Sequence, residues 1–347
     1  MKDILVSINK ERLTHNISTI RTSLPQGTLL CAVVKSDAYG HGAKRICEVI
    51  NKDVDYFAVA NNYEAFNIKR RYPNKPVLIL GAFSTHYLKS AIKYGAEISI
   101  FNKEHLSIIS KTAKKLKKQA FIHVQVNSGM NRLGLNSISE LSAFYDELKK
   151  HKNITLIGIY SHLGSGDIDC KRNYEQISQF QKFINFSPLI TIKHLCNSSF
   201  YYKKPCFDLV RVGIAIYGYN FPNTLPILNI KARVVAINHI KKGDYIGYTN
   251  QNKATKDITT ATLSIGYADG LPRLWAKRGY CIINGKKCPI VGNICMNMTI
   301  VLVDKNVKVN DYATIIGKDG DLELTATEIA KQCKTIEYEI LTNFKKI

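Results

Sequence analysis

Residues 31–42 read CAVVKSDAYGHG. Four small or apolar residues end on Lys35, and a polar turn with two glycines follows. A buried run that stops on a charge just where the chain turns is how a strand presents a reactive group at its C-terminal end. Taken alone, a strand-end lysine can also simply reach water. The rest of the chain decides between these readings.

Working outward, short apolar, β-branched runs recur: Leu29–Val34, Tyr56–Ala60, Val77–Leu80, Glu97–Ile100, Phe121–Val126, Leu156–Tyr160, Ile192–Leu195 and Leu209–Val212. Helix-like stretches such as Gly42–Asn51, Lys103–Lys118 and Ser137–His151 lie between most of them. The seventh gap is the weakest, with a short segment around Ser198–Lys204. Eight strands alternating with helices predict an α/β fold, an N-terminal (β/α)8 TIM barrel. An open doubly wound sheet would want a glycine-rich phosphate turn after its first strand, and CAVVKSDAYGHG is not G-x-G-x-x-G.

After about residue 220 the runs become short and close: Ala232–Ile237, Thr259–Ile265, Gly279–Ile283, Pro289–Val291, Thr299–Val303 and Tyr312–Ile316. Asn284–Gly285 and Asp319–Gly320 are hairpin-type turns, and one helix-like stretch, Thr325–Lys331, follows. This predicts a C-terminal, mostly antiparallel β domain, with FPNTLPIL as the linker. The expected domains are 1–224 and 225–347.

Composition narrows the function classes. No run of eighteen apolar residues exists, so no transmembrane helix is expected. MKDILVSINKERL carries charges where a secretory signal would be apolar, and the scattered cysteines read as reduced thiols, so the expected location is cytoplasmic. The spacing of Cys281, Cys288 and Cys295 matches no zinc pattern, so no metal is expected. A net charge of +22 raises the question of nucleic acid, but the basic residues are dispersed, and KTAKKLKK at 111–118 reads as one solvated helix face. No nucleic-acid partner is expected.

Reactive or anion-binding groups stand at most of the expected strand ends. Lys35 follows the first strand, Arg132 the fifth and His162 the sixth. His194, Asn197 and Ser198 follow the seventh, and Arg211 the eighth. Such residues on most rims at once make a candidate active site. The lysine could pair with a substrate anion or attach a carbonyl compound covalently. His162 and Asn197 could instead be satisfied polar groups at the rim.

At these residues the chain resembles the alanine racemase family, pyridoxal-phosphate enzymes built of a barrel plus a β domain. AVVKSDAYGHG matches the family's cofactor-lysine signature. SGMNRLG, SHLGSGD, HLCNSS, RVGIAIYG, IGYADG and VGNICMN follow in the family's order, across both expected domains. The resemblance runs essentially end to end. It implies racemisation of L- and D-alanine, which supplies D-alanine for peptidoglycan, with pyridoxal 5'-phosphate as cofactor. A racemase of another small amino acid such as serine, and a non-racemising barrel that carries the cofactor, are the other readings of these motifs.

The resemblance also implies roles. Lys35 would hold the cofactor. Tyr39, Ser198, the amides of Gly213 and Ile214, and Tyr338 would hold its phosphate. Arg211, supported by His194, would face the ring nitrogen, and His162 and Asn197 would lie beside the ring. Lys35 and Tyr248 would be the two acid–base groups, with Arg132 and Met296 near the substrate. Tyr248 and Met296 would come from the second subunit of a homodimer with shared sites. The chain departs from the family at Gln125, Asn127, Thr249 and Asn297, where lysine, aspartate, glycine and aspartate are usual. Gln125 is expected to turn its amide oxygen toward Arg132.

Overall fold

A computed structural model describes residues 3–166, 168, 170–187, 190–198, 207–250 and 252–344. The chain opens with β1 (Ile4–Ile8) and α1 (Lys10–Ser23). It then alternates: β2 (Leu29–Val33), α2 (Ala43–Ile50), β3 (Tyr56–Val59), α3 (Asn62–Arg71), β4 (Val77–Ile79), α4 (Leu88–Lys93) and β5 (Glu97–Ile100). Next come α5 (Glu104–Leu116), β6 (Ala120–Gln125), α6 (Ile138–Leu148), β7 (Ile154–Tyr160), α7 (Lys171–Asn185), β8 (Ile192–His194) and β9 (Leu209–Val212).

Strands β2 to β9 form one parallel sheet in the order β8-β7-β6-β5-β4-β3-β2-β9. The seam between β8 and β9 closes through Asp208 N to Lys193 O at 2.9 Å and Arg211 N to Cys196 O at 3.2 Å. All eight expected barrel strands are present, and the fold class is the expected one. Every residue of β3, β4, β5 and β9 is buried. A parallel strand covered on both faces needs such a continuous apolar run. The helices start on side-chain caps where the sequence supplies them: Asn61 accepts the Glu64 amide and Ser137 the Glu140 amide. The segment expected around Ser198–Lys204 falls mostly outside the described residues.

The second sheet is antiparallel. Its strands are β10 (Leu228–Ile240), β11 (Ile258–Leu263), β12 (Tyr280–Ile283), β13 (Lys286–Pro289), β14 (Thr299–Val303), β15 (Tyr312–Asp319) and β16 (Leu322–Leu324). The path is β13-β12-β15-β10-β11-β14, with β16 on β15 and β1 on β10. Helices α8 (Ala326–Cys333) and α9 (Glu337–Asn343) follow. Along β10 buried residues alternate with partly exposed ones from Leu228 to Val234, the period of a strand with one covered face. Asn284 and Gly285 both take positive φ, 51° and 72°, as a two-residue hairpin turn requires. The strand expected at Pro289–Val291 is found instead at Lys286–Pro289, paired with β12 across that turn. By contacts, one compact unit comprises Met1–Leu13, Tyr39–Gly42 and Leu225–Ile347, and the other Thr14–Ala38 and Ala43–Thr224. No helix among the described residues is long and apolar enough to cross a membrane.

Candidate active site

Lys35 stands just past β2, at the head of an unusual turn. Ser36, Asp37, Ala38 and Tyr39 all have φ of 53–54°, one turn of left-handed backbone without a glycine. Left-handed geometry costs roughly 1–2 kcal/mol per L-residue, so the surroundings must enforce it. They do. The Ala38 amide donates to Val34 O at 2.9 Å. Asp37 Oδ1 accepts the Ala43 amide at 2.7 Å. Glu64 bridges two strand ends, its Oε1 accepting the Ser36 amide and its Oε2 the Ala60 amide, both at 2.8 Å.

The Lys35 amine is held below its ordinary range, first by burial and then by the Arg132 and Arg211 guanidinium groups, with Glu64 opposing. A lysine so placed supplies free amine, the form that attacks a carbonyl carbon.

Arg211, on β9, is buried and fixed from several sides. Nη2 donates to Ser161 O at 2.8 Å and Leu195 O at 3.1 Å. The guanidinium lies 5.2 Å from the Tyr160 ring centroid. Nη1 is 2.6 Å from His194 Nδ1, His194 Nε2 is 2.9 Å from His123 Nδ1, and His123 Nε2 is 2.7 Å from Glu97 Oε2. Arginine only donates and a carboxylate only accepts, so the direction of this chain is fixed. His194 accepts at Nδ1 and donates from Nε2, and His123 does the same. Burial, then Arg211, keeps His194 well below its ordinary pKa, in the neutral form this role needs.

His162 ends β7. Burial, then Arg211, Arg132 and Lys35, lowers its pKa to about 3, so it is a neutral ring at physiological pH. Ser198 Oγ accepts the Gly213 amide at 2.8 Å, and Gly213 leads into the 3₁₀ turn Ile214–Tyr217. Asn197 Oδ1 is buried with no hydrogen-bond partner among the described residues.

Arg132 sits exposed on the loop after β6. Asn127 organises that loop. Its Oδ1 accepts the Gly129 and Asn131 amides, each at 3.0 Å, and its Nδ2 donates to Asn131 Oδ1 and Asn136 Oδ1, each at 2.9 Å. Gln125 differs from expectation. Its oxygen, expected to face Arg132, accepts the Tyr160 hydroxyl at 3.0 Å, because Gln125 is buried in β6 beside β7.

The barrel rim therefore gathers Lys35, His162, His194, Ser198, Arg211 and Gly213, with Ile214 following. Arg132 and Asn197 belong to the same unit, whereas Tyr39, Tyr248, Met296 and Tyr338 lie in the unit that carries the antiparallel sheet. Tyr39 and Tyr338 pair with ring centroids 5.9 Å apart. Tyr248 is 66% exposed and Met296 57%. Asn293 Nδ2 donates to Thr249 Oγ1 at 3.1 Å and approaches Tyr248 O at 3.4 Å. Thr249 has φ 75°, the left-handed region where glycine fits without strain. Gly266 lets the 295–296 backbone close in, since a Cβ there would meet the carbonyl oxygens of Cys295 and Met296 at 2.3 Å.

Sequence reading missed Glu64, His123 and Glu97. The last two had a signal: polar residues inside the apolar runs EISI and AFIHVQ. Glu64 had only its place three residues after the cap Asn61.

Comparison with known proteins gives one consistent answer. The alanine racemase N-terminal domain matches residues 8–221 and the C-terminal domain 227–347. Alanine racemase of Francisella philomiragia subsp. philomiragia is 32% identical, over 97% of this chain and 96% of its own. Alanine racemase 1 of Oceanobacillus iheyensis is 33% identical, over 97% and 95%. The Bacillus anthracis alanine racemase structure with bound L-Ala-P superposes with a TM-score of 0.93 at 27% identity, covering 99% of this chain and 93% of that one. The alanine racemase of Clostridium difficile 630 gives 0.90 at 31% identity, covering 99% and 93%. Two family domains matched in order, by relatives alike in sequence along almost their whole length, leave one conclusion: the chain belongs to the alanine racemase family.

Proposed function

We propose that this chain interconverts L- and D-alanine with pyridoxal 5'-phosphate as cofactor, supplying D-alanine for peptidoglycan in the cytoplasm. The observation that carries the reading is Lys35: a desolvated amine with lowered proton affinity, locked in a left-handed turn at the barrel rim with Arg211 fixed nearby. The donor set suits the cofactor. Lys35 would hold its aldehyde carbon, Ser198, the amides of Gly213 and Ile214, Tyr39 and Tyr338 its phosphate, and Arg211 its ring nitrogen. His162 and Asn197 would lie beside the ring, and Asn197 Oδ1, buried with no hydrogen-bond partner among the described residues, leaves an acceptor for a bound polar group.

The bound cofactor withdraws electrons from the bond between the substrate α-carbon and its hydrogen. The protein then has to move a proton on each face of that carbon. As the family resemblance implies, Lys35 Nζ takes or returns it on the face of D-alanine and the Tyr248 hydroxyl on that of L-alanine. Arg211 only donates hydrogen bonds, so it would face the ring nitrogen as a donor and leave it largely unprotonated. The Arg132 guanidinium holds the substrate region positive, and Met296 borders it.

Tyr248 and Met296 act on the site of a second copy, in a homodimer with shared sites. Supporting this, Tyr248 and Met296 are both exposed, and the same unit also exposes Tyr267 and Met298. The test is direct. With cofactor added, L-alanine should yield D-alanine until the enantiomers are equal, and serine should react more slowly. Retention of configuration after prolonged incubation would overturn the reading.

A further inference from the structure

We propose that Cys281 and Cys288 form a dithiol that is reversibly oxidised by low-molecular-weight disulfides such as oxidised glutathione. This inference does not depend on the racemase reading. The two residues are direct cross-strand partners in the β12–β13 hairpin. Their side chains share one face. Cys281 Sγ lies 3.8 Å from Cys288 O, and Cys288 Sγ lies 3.7 Å from Lys286 O. Counting from Ile283–Lys286, the pair flanking the two-residue turn, Cys281–Cys288 falls two pairs on, at a hydrogen-bonded position. There Cα atoms stand about 5.5 Å apart, within the about 4.4–6.8 Å that a disulfide spans. Side chains at such a position must tilt together to bond, and a bond closed under strain is readily reduced.

Access is one-sided. Cys281 is 1% exposed and Cys288 5%. Cys288 lines a surface groove of about 360 Å³ with Lys286, Lys287, Pro289 and Asp304. Lys287 Nζ stands over the Tyr280 ring, 4.4 Å from its centroid, and adds positive charge at the groove. That charge suits a reagent bearing carboxylates, as glutathione does. The thiols are also unequal. The Cys281 thiol lowers the proton affinity of Cys288, while burial pushes Cys281 well up. Elsewhere burial raises Cys31, raises Cys47 to about 12, and raises Cys295 and Cys333. The Cys288 thiol is shifted toward the reactive form.

The reaction runs in two displacements. The Cys288 thiolate attacks one sulfur of the small disulfide, expelling one thiolate and forming a mixed disulfide. Cys281, losing its proton, then attacks the Cys288 sulfur and expels the second. The protein loses two hydrogens as one S–S bond forms, and the small disulfide becomes two thiols.

The full-length protein is incubated with oxidised glutathione, alkylated and mapped by mass spectrometry. The Cys281 and Cys288 peptides should lose alkylation together, appear joined, and separate again with dithiothreitol. Cys281→Ala should trap glutathione on Cys288, and Cys288→Ala should leave Cys281 alkylatable only on unfolding. Phenylarsine oxide, which bridges neighbouring thiols, should protect both cysteines in the unsubstituted protein whatever the fate of the variants. A joined peptide with any other cysteine, glutathione settling on Cys281, or absence of arsenical protection would overturn the proposal.

Discussion

Glu64 holds Ser36: its Oε1 accepts the Ser36 amide at 2.8 Å while its Oε2 takes the Ala60 amide at the same distance. One carboxylate thereby ties the end of β2 to the end of β3 and clamps the left-handed turn that begins at Lys35. Glu64→Gln replaces one acceptor with an NH₂ that faces an N–H. Hydrogen bonds to charged groups contribute about 1.5–3 kcal/mol, so a stability loss near the lower end is expected for this half-buried site. The anion also opposes the lowering of the Lys35 amine. Its removal should lower that pKa further, read from the pH dependence of Lys35 labelling by an amine reagent. A rise, or no change, would break the link.

The Asn127 side chain makes four hydrogen bonds within the Arg132 loop. Asn127→Ala should cost about 1 kcal/mol of stability and raise KM for alanine more than it lowers kcat, because it loosens Arg132 without removing it. Asn127→Asp should stay near the parent, since the Asn131 and Asn136 amides can turn to donate to the carboxylate. Steady-state kinetics of both variants provide the check. A loss in kcat with KM unchanged would place the loop's role elsewhere.

His162 makes stability depend on pH. Its folded pKa, about 3, lies below the ordinary 6.5. Between these values the unfolded chain binds the extra proton, so the stabilisation is complete above 6.5 and drains away as pH falls toward 3. His194 acts in the same direction. The denaturation midpoint should therefore fall between about pH 7 and about pH 5, and His162→Gln should flatten that fall. An equal slope in the variant would remove His162 from the account.

The barrel was legible because fully buried parallel strands read as unbroken apolar runs, as TyrPheAlaVal at 56–59 does. The hairpin strand Lys286–Pro289 was not. Three of its four residues are exposed and only Cys288 turns inward, so it reads as polar turn. Ile4–Ile8 is a short strand whose apolar residues alternate with polar ones only briefly, and its partner Leu228–Ala232 lies far away in sequence. The rim residues showed themselves by chemistry at strand ends. Glu64 and Tyr160 did not, because each is defined by a partner far away in sequence: Ser36 for the one, Gln125 for the other.

The central claim is that two different groups serve the two faces of the α-carbon. Tyr248→Phe keeps the exposed ring and removes only the hydroxyl, so the variant should fold and still bind the cofactor. Racemisation should fall by roughly 10²–10⁴-fold in both directions, since each direction needs both groups. The decisive measurement is solvent exchange in D₂O with each enantiomer separately. The variant should still wash deuterium into the α-position of D-alanine through Lys35, while exchange into L-alanine nearly stops. Equal exchange into both enantiomers would mean that one group serves both faces, and would contradict the account.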